Sequence, residues 1–597
     1  MNSLKINGHM KAGIGREIVG DFELNFSVSK SRGYLIEIEL KNLSDAPKFI
    51  KEIKIGEIDS NDKIFMNNFQ SWGPCTFVNP YEVSMVLKSS NVPLNFGISP
   101  VLWEFKDGIV SDYFVATDHE FAGFLSSNIS HPYFKWHDGN LDVKVYIGKT
   151  LSSHESVRIE KLWISEFDTI ENALQDYALE VLKDHETRSH SPLFGWESWY
   201  SYYLDISQET FLKELESANL KYEVFQLDDG YEADIGDWLK TNSKFPDGLE
   251  FLARKIKEKG MKAGIWTAPF SVSESSDLFK EHPDYLVKDD EGNPIVAYEN
   301  WRRKIYAIDL SNDEAIEWLK DLFLTLKSYG YEFFKIDFLF AGMVPGKRKS
   351  NLSPVESYTR GMKAIAEAVG DSHILGCGAP LLPSIGYVDS MRIGSDTSFE
   401  WNGTDTGAPS AKYSIRNALT RNFMNKWWVN DPDCVMARSQ RTELSKNERM
   451  INLFVPALLN GQFIESDFLG ELTNEDIHLL MSALNFRNGN STVKFIDRER
   501  YVITTKNSKN GDVISFVNLS DSVWKADLSY QIGKKEEEFF ISYPLMKSVD
   551  KNLEINPRSI EIVLHRGKRY LRRDDEKEDD GRDIHYYWGD DYDGVKI

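Results

Sequence analysis

The fold of this chain is constrained most by a regular alternation of short apolar runs and helix-like segments between about residues 190 and 470. The runs are too apolar to face water on either side, which is typical of parallel strands covered by helices. Eight runs are found, at 194–199, 223–228, 262–267, 332–338, 373–377, 390–394, 427–430 and 463–466. Eight strand–helix units in about 300 residues predict a (β/α)8 TIM barrel. A doubly wound open sheet has the same local pattern and stays an alternative.

The helix-like segments carry their own start and stop signals. Ser353 followed three residues later by Glu356 is a capping box, and Gly370 is suited to a left-handed helix end. A second helix is predicted to open within 311–314, and a third is predicted over about 248–259. Each of these helices is followed directly by an apolar run, as the alternation requires.

Alternating apolar and polar residues on both sides of the barrel segment predict two β domains. The alternation is clear at 34–40 and 141–147, and it returns at 512–519 and 559–564. The last residues are a run of mixed charges, predicted to be solvated or disordered. The predicted domains are an antiparallel β-sandwich at 1–185, the barrel at 190–495, a small C-terminal β domain at 496–567 and an acidic tail at 568–597.

The charge and the cysteines limit the possible partners and location. A net charge of −23 argues against nucleic acid and against an anionic membrane surface. Neither a signal peptide nor an apolar stretch of about 18 residues is seen, so we predict a soluble cytoplasmic protein. Cys75, Cys377 and Cys434 lie far apart, which fits a reducing compartment and neither a disulfide framework nor a zinc site. Nothing in the sequence indicates the oligomeric state.

The fourth apolar run combines a buried strand with two charges. Alternation puts Phe334 and Ile336 on one face and Lys335 and Asp337 on the other. A structural ion pair is the simplest interpretation of a single Lys-x-Asp. It loses weight because polar residues stand at the ends of most other runs: Trp196, Trp199, Asp228, Asp229, Trp266, Cys377, Arg392, Asp396, Asp431 and Asp433.

Carboxylates dominate this set, and no histidine belongs to it. The carboxyl ends of barrel strands converge on one site, and paired carboxylates are the groups that glycoside hydrolysis needs. Asp337 is the candidate nucleophile because a buried strand would fix its side chain, and Lys335 is expected to keep it ionised. Asp396 follows a glycine in a loop, where a proton donor with a raised pKa could reach a leaving group. Asp228 and Asp229 could bind sugar hydroxyls.

Structural interpretations compete with these roles. The segment 228–230 could be only a turn, and 430–433 could only brace a loop. Each tryptophan taken alone is more often a core residue than a sugar platform. Cys377 is interpreted as a small buried residue because no histidine partner is seen beside it.

Taken together, the motifs resemble the α-galactosidases of glycoside hydrolase family 36, and most closely the short bacterial and archaeal members. The resemblance extends over nearly the whole chain. It rests on Asn67-Asn-Phe-Gln-Ser-Trp72, Gly195-Trp-Glu-Ser-Trp199, Phe225-Gln-Leu-Asp-Asp229, Gly264-Ile-Trp-Thr-Ala-Pro-Phe270, Phe334-Lys-Ile-Asp-Phe338, Gly376-Cys-Gly-Ala-Pro380, Met391-Arg-Ile-Gly-Ser-Asp396 and Asn430-Asp-Pro-Asp433. Phe69 stands where related chains often have Trp, and Ser395 stands where Pro is common.

The resemblance also implies roles for individual residues. Asp337 matches the family nucleophile and Asp396 its acid/base. The substrate-binding positions that it implies are Trp72, Trp199, Asp228, Asp229, Trp266, Lys335, Cys377 and Arg392. Of these, Asp228, Asp229 and Lys335 would bind the galactose 4- and 6-hydroxyls and neighbouring oxygens. Cys377 and Arg392 would read the 2-hydroxyl side, Trp266 would stack on the sugar, and Trp72 would reach in from the N-terminal domain.

The predicted function is that of a retaining, exo-acting α-galactosidase on small oligosaccharides such as melibiose and raffinose. The reaction would pass through a covalent galactosyl ester of Asp337, and neither a metal nor an organic cofactor is expected. Three alternatives stay open. One is the same chemistry on another sugar or acceptor, as in an α-N-acetylgalactosaminidase or a galactosyl-transferring relative. The others are a Mg²⁺-dependent barrel lyase or isomerase, and a sugar-binding protein without activity.

Overall fold

The computed structural model describes residues 4–5, 13–60, 63–80, 109–188, 191–403, 409–508, 511–527, 539–543, 547–548 and 552–566. The predicted acidic tail at 568–597 lies outside the described residues. Within the described ranges, no helix is long and apolar enough to cross a lipid bilayer.

Eight parallel strands form the barrel. In chain order, barrel strands one to eight are Phe194–Glu197, Val224–Leu227, Lys262–Thr267, Tyr331–Ile336, His373–Gly376, Ser390–Arg392, Val429–Asp431 and Phe463–Glu465. Each pairs with the next in sequence from one to seven, and strand eight pairs with strand one, so the open-sheet alternative is wrong. A single bridge between Val435 and Glu465 links the chain after strand seven to strand eight and nearly closes the ring. The predicted TIM barrel is therefore confirmed.

Barrel strand four is oriented by its apolar face. Phe334 packs edge-on against Phe323 of the outer helix Asp313–Ser328, with ring centroids 5.7 Å apart. Since side chains alternate along a strand, Lys335 and Asp337 point the opposite way, into the barrel. Their burial there requires polar partners, which the barrel interior supplies.

The α-helices of the described chain are Ile170–Val181, Trp199–Tyr202, Gln208–Ser217, Gly248–Glu258, Asp277–Glu281, Asp313–Ser328, Pro354–Val369, Ala411–Thr420, Lys446–Leu458 and Asn474–Leu484. The capping box of Ser353 and Glu356 opens one of them, and Gly370 ends it with a φ of +61°. The helix predicted to open within 311–314 is capped by Asn312, whose side chain accepts a hydrogen bond from the Glu314 N–H. The sequence signals for helix ends thus agree with the structure to within about a residue.

One part of the barrel region was not foreseen. Between barrel strands three and four the chain forms a small antiparallel sheet of Ser271–Ser273, Arg303–Ala307 and Val296–Asn300, in that order. Sequence patterns indicate only a helix at the end of this interval, because three short strands in a long connection carry little periodic signal.

The N-terminal part consists of two sheets. The first contains Leu4–Lys5, Lys48–Asp59, Asn140–Leu151, His131–His137 and Ile109–Asp112. The second contains Gly13–Val19, Phe22–Ser31, Gly33–Asn42, Leu162–Glu166, Glu120–Phe124, Phe114–Ala116, Ile64–Asn67 and Cys75–Val78, with Ser156–Arg158 beside Gly33–Asn42. The pairing is antiparallel except for Leu4–Lys5. Leu40 and Val143, from opposite sheets, belong to one hydrophobic core, as expected for a sandwich.

Two further sheets lie near the C-terminus. One contains Asn490–Phe495, Arg500–Ser508, Gly511–Asn518, Ser559–Arg566, Phe539–Tyr543 and Lys547–Ser548, and the other pairs Trp524–Asp527 with Asn552–Ile555. Phe516 and Trp524, with ring centroids 5.6 Å apart, join the two sheets. The predicted C-terminal β domain is present, and the residue boundaries assigned to the domains stay a prediction.

The N-terminal sandwich is fastened to the barrel by buried hydrogen bonds. The fully buried Arg421 donates from Nε and Nη2 to Asn67 Oδ1 at 3.0 and 2.9 Å, and from Nη1 to the Ser71 carbonyl at 2.7 Å. Asn417 Nδ2 donates to the Gly73 carbonyl at 3.1 Å, and its Oδ1 accepts from the Cys75 N–H at 3.2 Å. These contacts fix residues 67–75 against the barrel.

Replacing Arg421 should therefore weaken the whole assembly. In Arg421→Ala the buried oxygens of Asn67 and Ser71 lose their donor, which should lower the free energy of unfolding by about 3 kcal/mol. Urea denaturation would measure the change. The exposed Arg254, paired with Glu258 on an outer helix, gives a matched control, and Arg254→Ala should have little effect. Equal losses in both variants would contradict this account.

Candidate active site

Asp337 follows barrel strand four and is held on both of its oxygens. Oδ1 accepts a hydrogen bond from the Phe338 N–H at 2.6 Å, and Oδ2 accepts one from Trp266 Nε1 at 3.1 Å. Phe338 has a φ of +51°, a conformation that non-glycine residues adopt rarely. This turn brings the Phe338 N–H onto the carboxylate. The side chain of Asp337 is therefore fixed, as expected of a nucleophile.

The partners of Lys335 differ from the prediction. Its Nζ lies 2.8 Å from Glu197 Oε2 and 2.8 Å from Asp228 Oδ2, so these two carboxylates are its ion-pair partners. Burial raises the pKa of Asp337, and the nearby Lys335 charge offsets this only in part. The Lys335 charge favours the ionised form of Asp337, as predicted in direction, whereas removal from water opposes it. That Asp337 is ionised stays a prediction.

Asp396 lies in the loop after barrel strand six, within electrostatic reach of Asp337. Its Oδ1 lies 2.6 Å from Arg392 Nη2, and the same guanidinium nitrogen lies 2.9 Å from Asp433 Oδ2. Burial in the mouth raises the pKa of Asp396, Arg392 lowers it, and the Asp433 charge raises it again. The side chain of Asp396 is 36% exposed, whereas Asp337 is buried. A carboxyl with a raised pKa and access to solvent is suited to donate a proton.

The two carboxylates influence each other. The charge of Asp396 contributes to the raised pKa of Asp337, so the two groups lie within electrostatic reach across the mouth. Cys377 interacts with both aspartates. It hydrogen-bonds to Asp337, and the charges of Asp337 and Asp396 raise the pKa of its buried thiol. Such a thiol is protonated at neutral pH. Cys377 is small and buried, as the sequence analysis expected, and its hydrogen bond to Asp337 was not expected.

Trp72 closes the mouth from the N-terminal sandwich. Its ring packs edge-on against Phe338 and Phe340, with centroids 5.1 and 5.9 Å apart. Gly378 completes this contact with a φ of +52°, and a Cβ at this position would lie 3.0 Å from Trp72 Cζ2 and 3.3 Å from Asp337 Oδ1. The backbone of Gly378 therefore leaves room for both Trp72 and the candidate nucleophile Asp337.

Asp228 and Asp229 form more than a turn. Gln226 Nε2 donates to Asp228 Oδ2 at 2.7 Å, alongside the Lys335 ion pair. Trp301 Nε1 donates to Asp229 Oδ2 at 2.8 Å. Burial and the neighbouring Glu232 carboxyl raise the pKa of Asp229 well above its ordinary value, and the Trp301 donor opposes this shift. The Asp229 N–H donates to Asp228 Oδ1 at 2.9 Å, so the two aspartates and their partners form one linked group at the mouth.

The remaining two predicted residues are tryptophans in different settings. Trp266 is almost fully buried, and its indole N–H is directed at Asp337. Trp199 is half-buried and packs edge-on against Tyr203, with centroids 5.0 Å apart. The structure therefore ties Trp266 directly to the candidate nucleophile, whereas it shows no such link for Trp199 among the described contacts.

Two residues at this mouth were missed by the sequence analysis. Glu197 ends barrel strand one, accepts hydrogen bonds from Lys335, Gln226 and the Cys434 thiol, and has its pKa raised to about 8 by burial. A charged residue within a buried apolar run was the signal that could have revealed it. Trp301 comes from the unforeseen hairpin, and no sequence pattern pointed to it.

One group of potential metal ligands lies nearby. Among the described residues, oxygen and sulfur atoms of Glu197, Asp433 and Cys434 lie within 4.8 Å of one another. Lys335 pairs with Glu197 and Arg392 pairs with Asp433. Since an ammonium and a guanidinium already compensate these carboxylates, the donor set does not fit a divalent cation.

A side chain at position 378 should lower the catalytic activity more than it lowers the stability of the fold. Gly378→Ala would place a methyl group against Trp72 and Asp337. We expect hydrolysis of an aryl α-galactoside, the substrate class suggested by the motifs, to fall at least about tenfold because a displaced nucleophile loses alignment. Gly260→Ala is the matched control, with a φ of +81° and nothing within 4 Å of the new Cβ. If both variants lose activity equally, the cause is backbone strain and not the mouth.

Asp431 provides a test of burial at the end of barrel strand seven. Burial raises its pKa to about 6, against about 4 in an unfolded chain. The folded protein then binds this proton more tightly than the unfolded chain, so stability should fall as the pH rises from about 4 to 6. Asp431→Asn should remove a decline on the order of 2 kcal/mol, measured as urea unfolding free energies at both pH values. An unchanged decline would show that other groups cause it.

Comparisons with known proteins identify relatives of this chain. The family model described as "Alpha-galactosidase, N-terminal" matches residues 31–166, and the Melibiase model matches residues 170–343, together just over half of the chain. The α-galactosidase Mel36A of Lactobacillus acidophilus is 33% identical over 125 residues, which cover 20% of this chain and 16% of that protein. The matched segments thus span less than a fifth of such curated relatives.

Solved structures extend the similarity to the whole fold. TtGalA, an α-galactosidase of Thermus thermophilus in complex with p-nitrophenyl α-D-galactopyranoside, is 26% identical with a TM-score of 0.64, and the match covers 82% of this chain and 98% of that one. AgaA of Geobacillus stearothermophilus, with 13% identity and a TM-score of 0.61 over 91% and 81% of the two chains, shares the fold. Because both family models match this chain and TtGalA shares its fold, the chain belongs to glycoside hydrolase family 36.

Proposed function

We propose that this protein is a retaining, exo-acting α-galactosidase. The observation that carries the proposal is the unequal pair of aspartates at the barrel mouth. Asp337 is buried and held by two hydrogen bonds, whereas Asp396 is partly accessible and has a raised pKa. One group is thus suited to attack and the other to transfer protons, which is the division of labour in double displacement.

The proposed reaction has two balanced steps. A carboxylate oxygen of Asp337 attacks the anomeric carbon of a terminal α-galactoside, and the bond to the leaving oxygen breaks as Asp396 donates its proton to that oxygen. This forms a β-galactosyl ester of Asp337. Asp396, now a carboxylate, then accepts a proton from a water molecule that attacks the anomeric carbon. The ester bond breaks, and galactose leaves with its α configuration retained.

The hydroxyl contacts of the sugar would come from the remaining charged groups. Lys335 with Asp228, and Asp229 with Trp301, present donors and acceptors on one side of the mouth. Buried charged groups of this kind discriminate strongly against a substrate that lacks the matching hydroxyl. TtGalA, which is similar over most of this chain, has been solved in complex with stachyose. We therefore propose small α-galactosyl oligosaccharides, including melibiose and raffinose, as substrates.

Other sugars are a second candidate class. Short matches also exist to the α-xylosidase XylQ of Lactiplantibacillus pentosus, 31% identical over 158 residues, and to an A type blood α-D-galactosamine galactosaminidase of Flavonifractor plautii, 36% identical over 105 residues. A panel of p-nitrophenyl α-galactoside, α-N-acetylgalactosaminide and α-xyloside would rank these possibilities. The galactoside should be turned over fastest, and activity unchanged by a chelator would argue against the metal-dependent class.

Azide should separate the roles of the two aspartates by stereochemistry. In Asp337→Ala, azide can take the place of the nucleophile and should yield β-galactosyl azide from an aryl α-galactoside. In Asp396→Ala, the galactosyl ester still forms on an activated substrate, and azide should release α-galactosyl azide. Proton NMR of the anomeric signals distinguishes the products. Both variants without azide should be slower than the wild type by about a thousandfold or more.

The same measurement on the wild type tests the mechanism as a whole. The first product detected by NMR should be α-galactose, which later equilibrates with the β form. Release of β-galactose first would mean inversion and would end the assignment of Asp337 as nucleophile. Activity of Asp337→Ala at the wild-type level would do the same.

A further inference from the structure

The hairpin between barrel strands three and four has a tight turn whose two residues rarely adopt the backbone conformation found there. Asn300 and Arg303 pair across it, so only Trp301 and Arg302 connect the strands Val296–Asn300 and Arg303–Ala307. Both turn residues have positive φ angles, +50° and +57°. Such two-residue turns favour Asn-Gly, because large side chains resist the left-handed conformation. Strain of this kind clusters at functional sites.

The turn directs Trp301 into the mouth of the barrel. Its indole Nε1 donates to Asp229 Oδ2 at 2.8 Å, across 72 positions of sequence. The ring also contacts Phe338, with centroids 5.1 Å apart, and lies 6.4 Å from the ring of Trp266. Trp301 therefore contacts Asp229, a candidate substrate-binding residue, and two aromatic rings beside the candidate nucleophile.

A second residue of the hairpin strengthens this link. Tyr298 stacks on Phe338 with ring centroids 5.0 Å apart and an interplanar angle of 9°. Its hydroxyl hydrogen-bonds to Ser271 Oγ at 2.8 Å, which anchors the hairpin to the neighbouring strand. Phe338 in turn donates its backbone N–H to Asp337. The hairpin thus supports both the left-handed turn behind Asp337 and the orientation of Asp229.

We propose that Trp301 is a positioning residue that orients Asp229 for a sugar hydroxyl, an inference that rests on the proposed function. Its indole N–H fixes one carboxylate oxygen, so the carboxylate plane is set before the sugar arrives. The donor also opposes the raised pKa that burial and Glu232 impose on Asp229. Trp301 acts through Asp229 and is not itself assigned a catalytic role.

The test is a double-mutant cycle on p-nitrophenyl α-galactoside. Trp301→Phe keeps an aromatic ring and removes the donor, and Asp229→Asn changes the acceptor. We expect Trp301→Phe to lower kcat/KM about tenfold to a hundredfold in the wild-type background, since the buried Asp229 carboxyl loses its donor. In the Asp229→Asn background, the same substitution should change kcat/KM less than about threefold. Trp318→Phe, on the outer helix Asp313–Ser328, is the matched control and should leave kcat/KM unchanged.

The outcomes separate this inference from the proposed function. Equal fold-losses from Trp301→Phe in both backgrounds would show a merely structural role and overturn the inference, and so would an unaffected Trp301→Phe enzyme. If the wild type hydrolyses no α-galactoside, the proposed function fails, and the same four proteins are compared by calorimetric titration with galactose. If Trp301→Phe weakens galactose binding in the wild-type background and much less in the Asp229→Asn background, the inference about Trp301 is supported although the proposed function has failed. Absence of galactose binding would overturn both.

Discussion

The site depends on the compensation of several buried carboxylates by two cations. A buried charge is costly unless it is paired and hydrogen-bonded. Lys335 pairs with Glu197 and Asp228, and Arg392 pairs with Asp396 and Asp433. Each cation therefore forms ion pairs with two carboxylates. These ion pairs connect different segments of the barrel mouth.

Asp337 stands apart from these ion pairs, which suits its proposed role. Its direct partners are the Phe338 N–H, the Trp266 indole N–H and the Cys377 thiol, all neutral donors. Neutral donors orient a carboxylate and leave its attack on carbon less opposed than a direct cation contact would. The cations act on Asp337 only from a distance, where they moderate the effect of burial on its pKa.

Elements outside the barrel complete the mouth. Residues 67–75 of the sandwich bring Trp72 against Phe338, and the hairpin brings Trp301 to Asp229. Arg421 and Asn417, buried at the sandwich–barrel contact, hold the first of these segments. Both segments therefore place a tryptophan side chain against residues at the ends of the barrel strands.

Much of the fold followed from local patterns. Barrel strand three has the predicted bounds, and strand four differs by one or two residues at each end. The capping box at Ser353 was also found. These features depend on neighbouring residues, whose alternation and capping groups are visible in the sequence itself. The assignment of Asp337 and Asp396 came from the same strand ends together with family motifs, and it stays a prediction for experiment.

The partners of the charged groups could not be foreseen in this way. Alternation correctly put Lys335 and Asp337 on one face, but it did not reveal that the long lysine side chain crosses to Glu197, 138 positions away. Closure of the barrel and docking of the sandwich decide such contacts, since they bring distant segments within a few ångströms. The sequence by itself determined the strands, the helix ends and the excess of carboxylates at one rim. Only the tertiary structure decided which cation compensates which acid, because charge pairing depends on distance in space and not on separation along the chain.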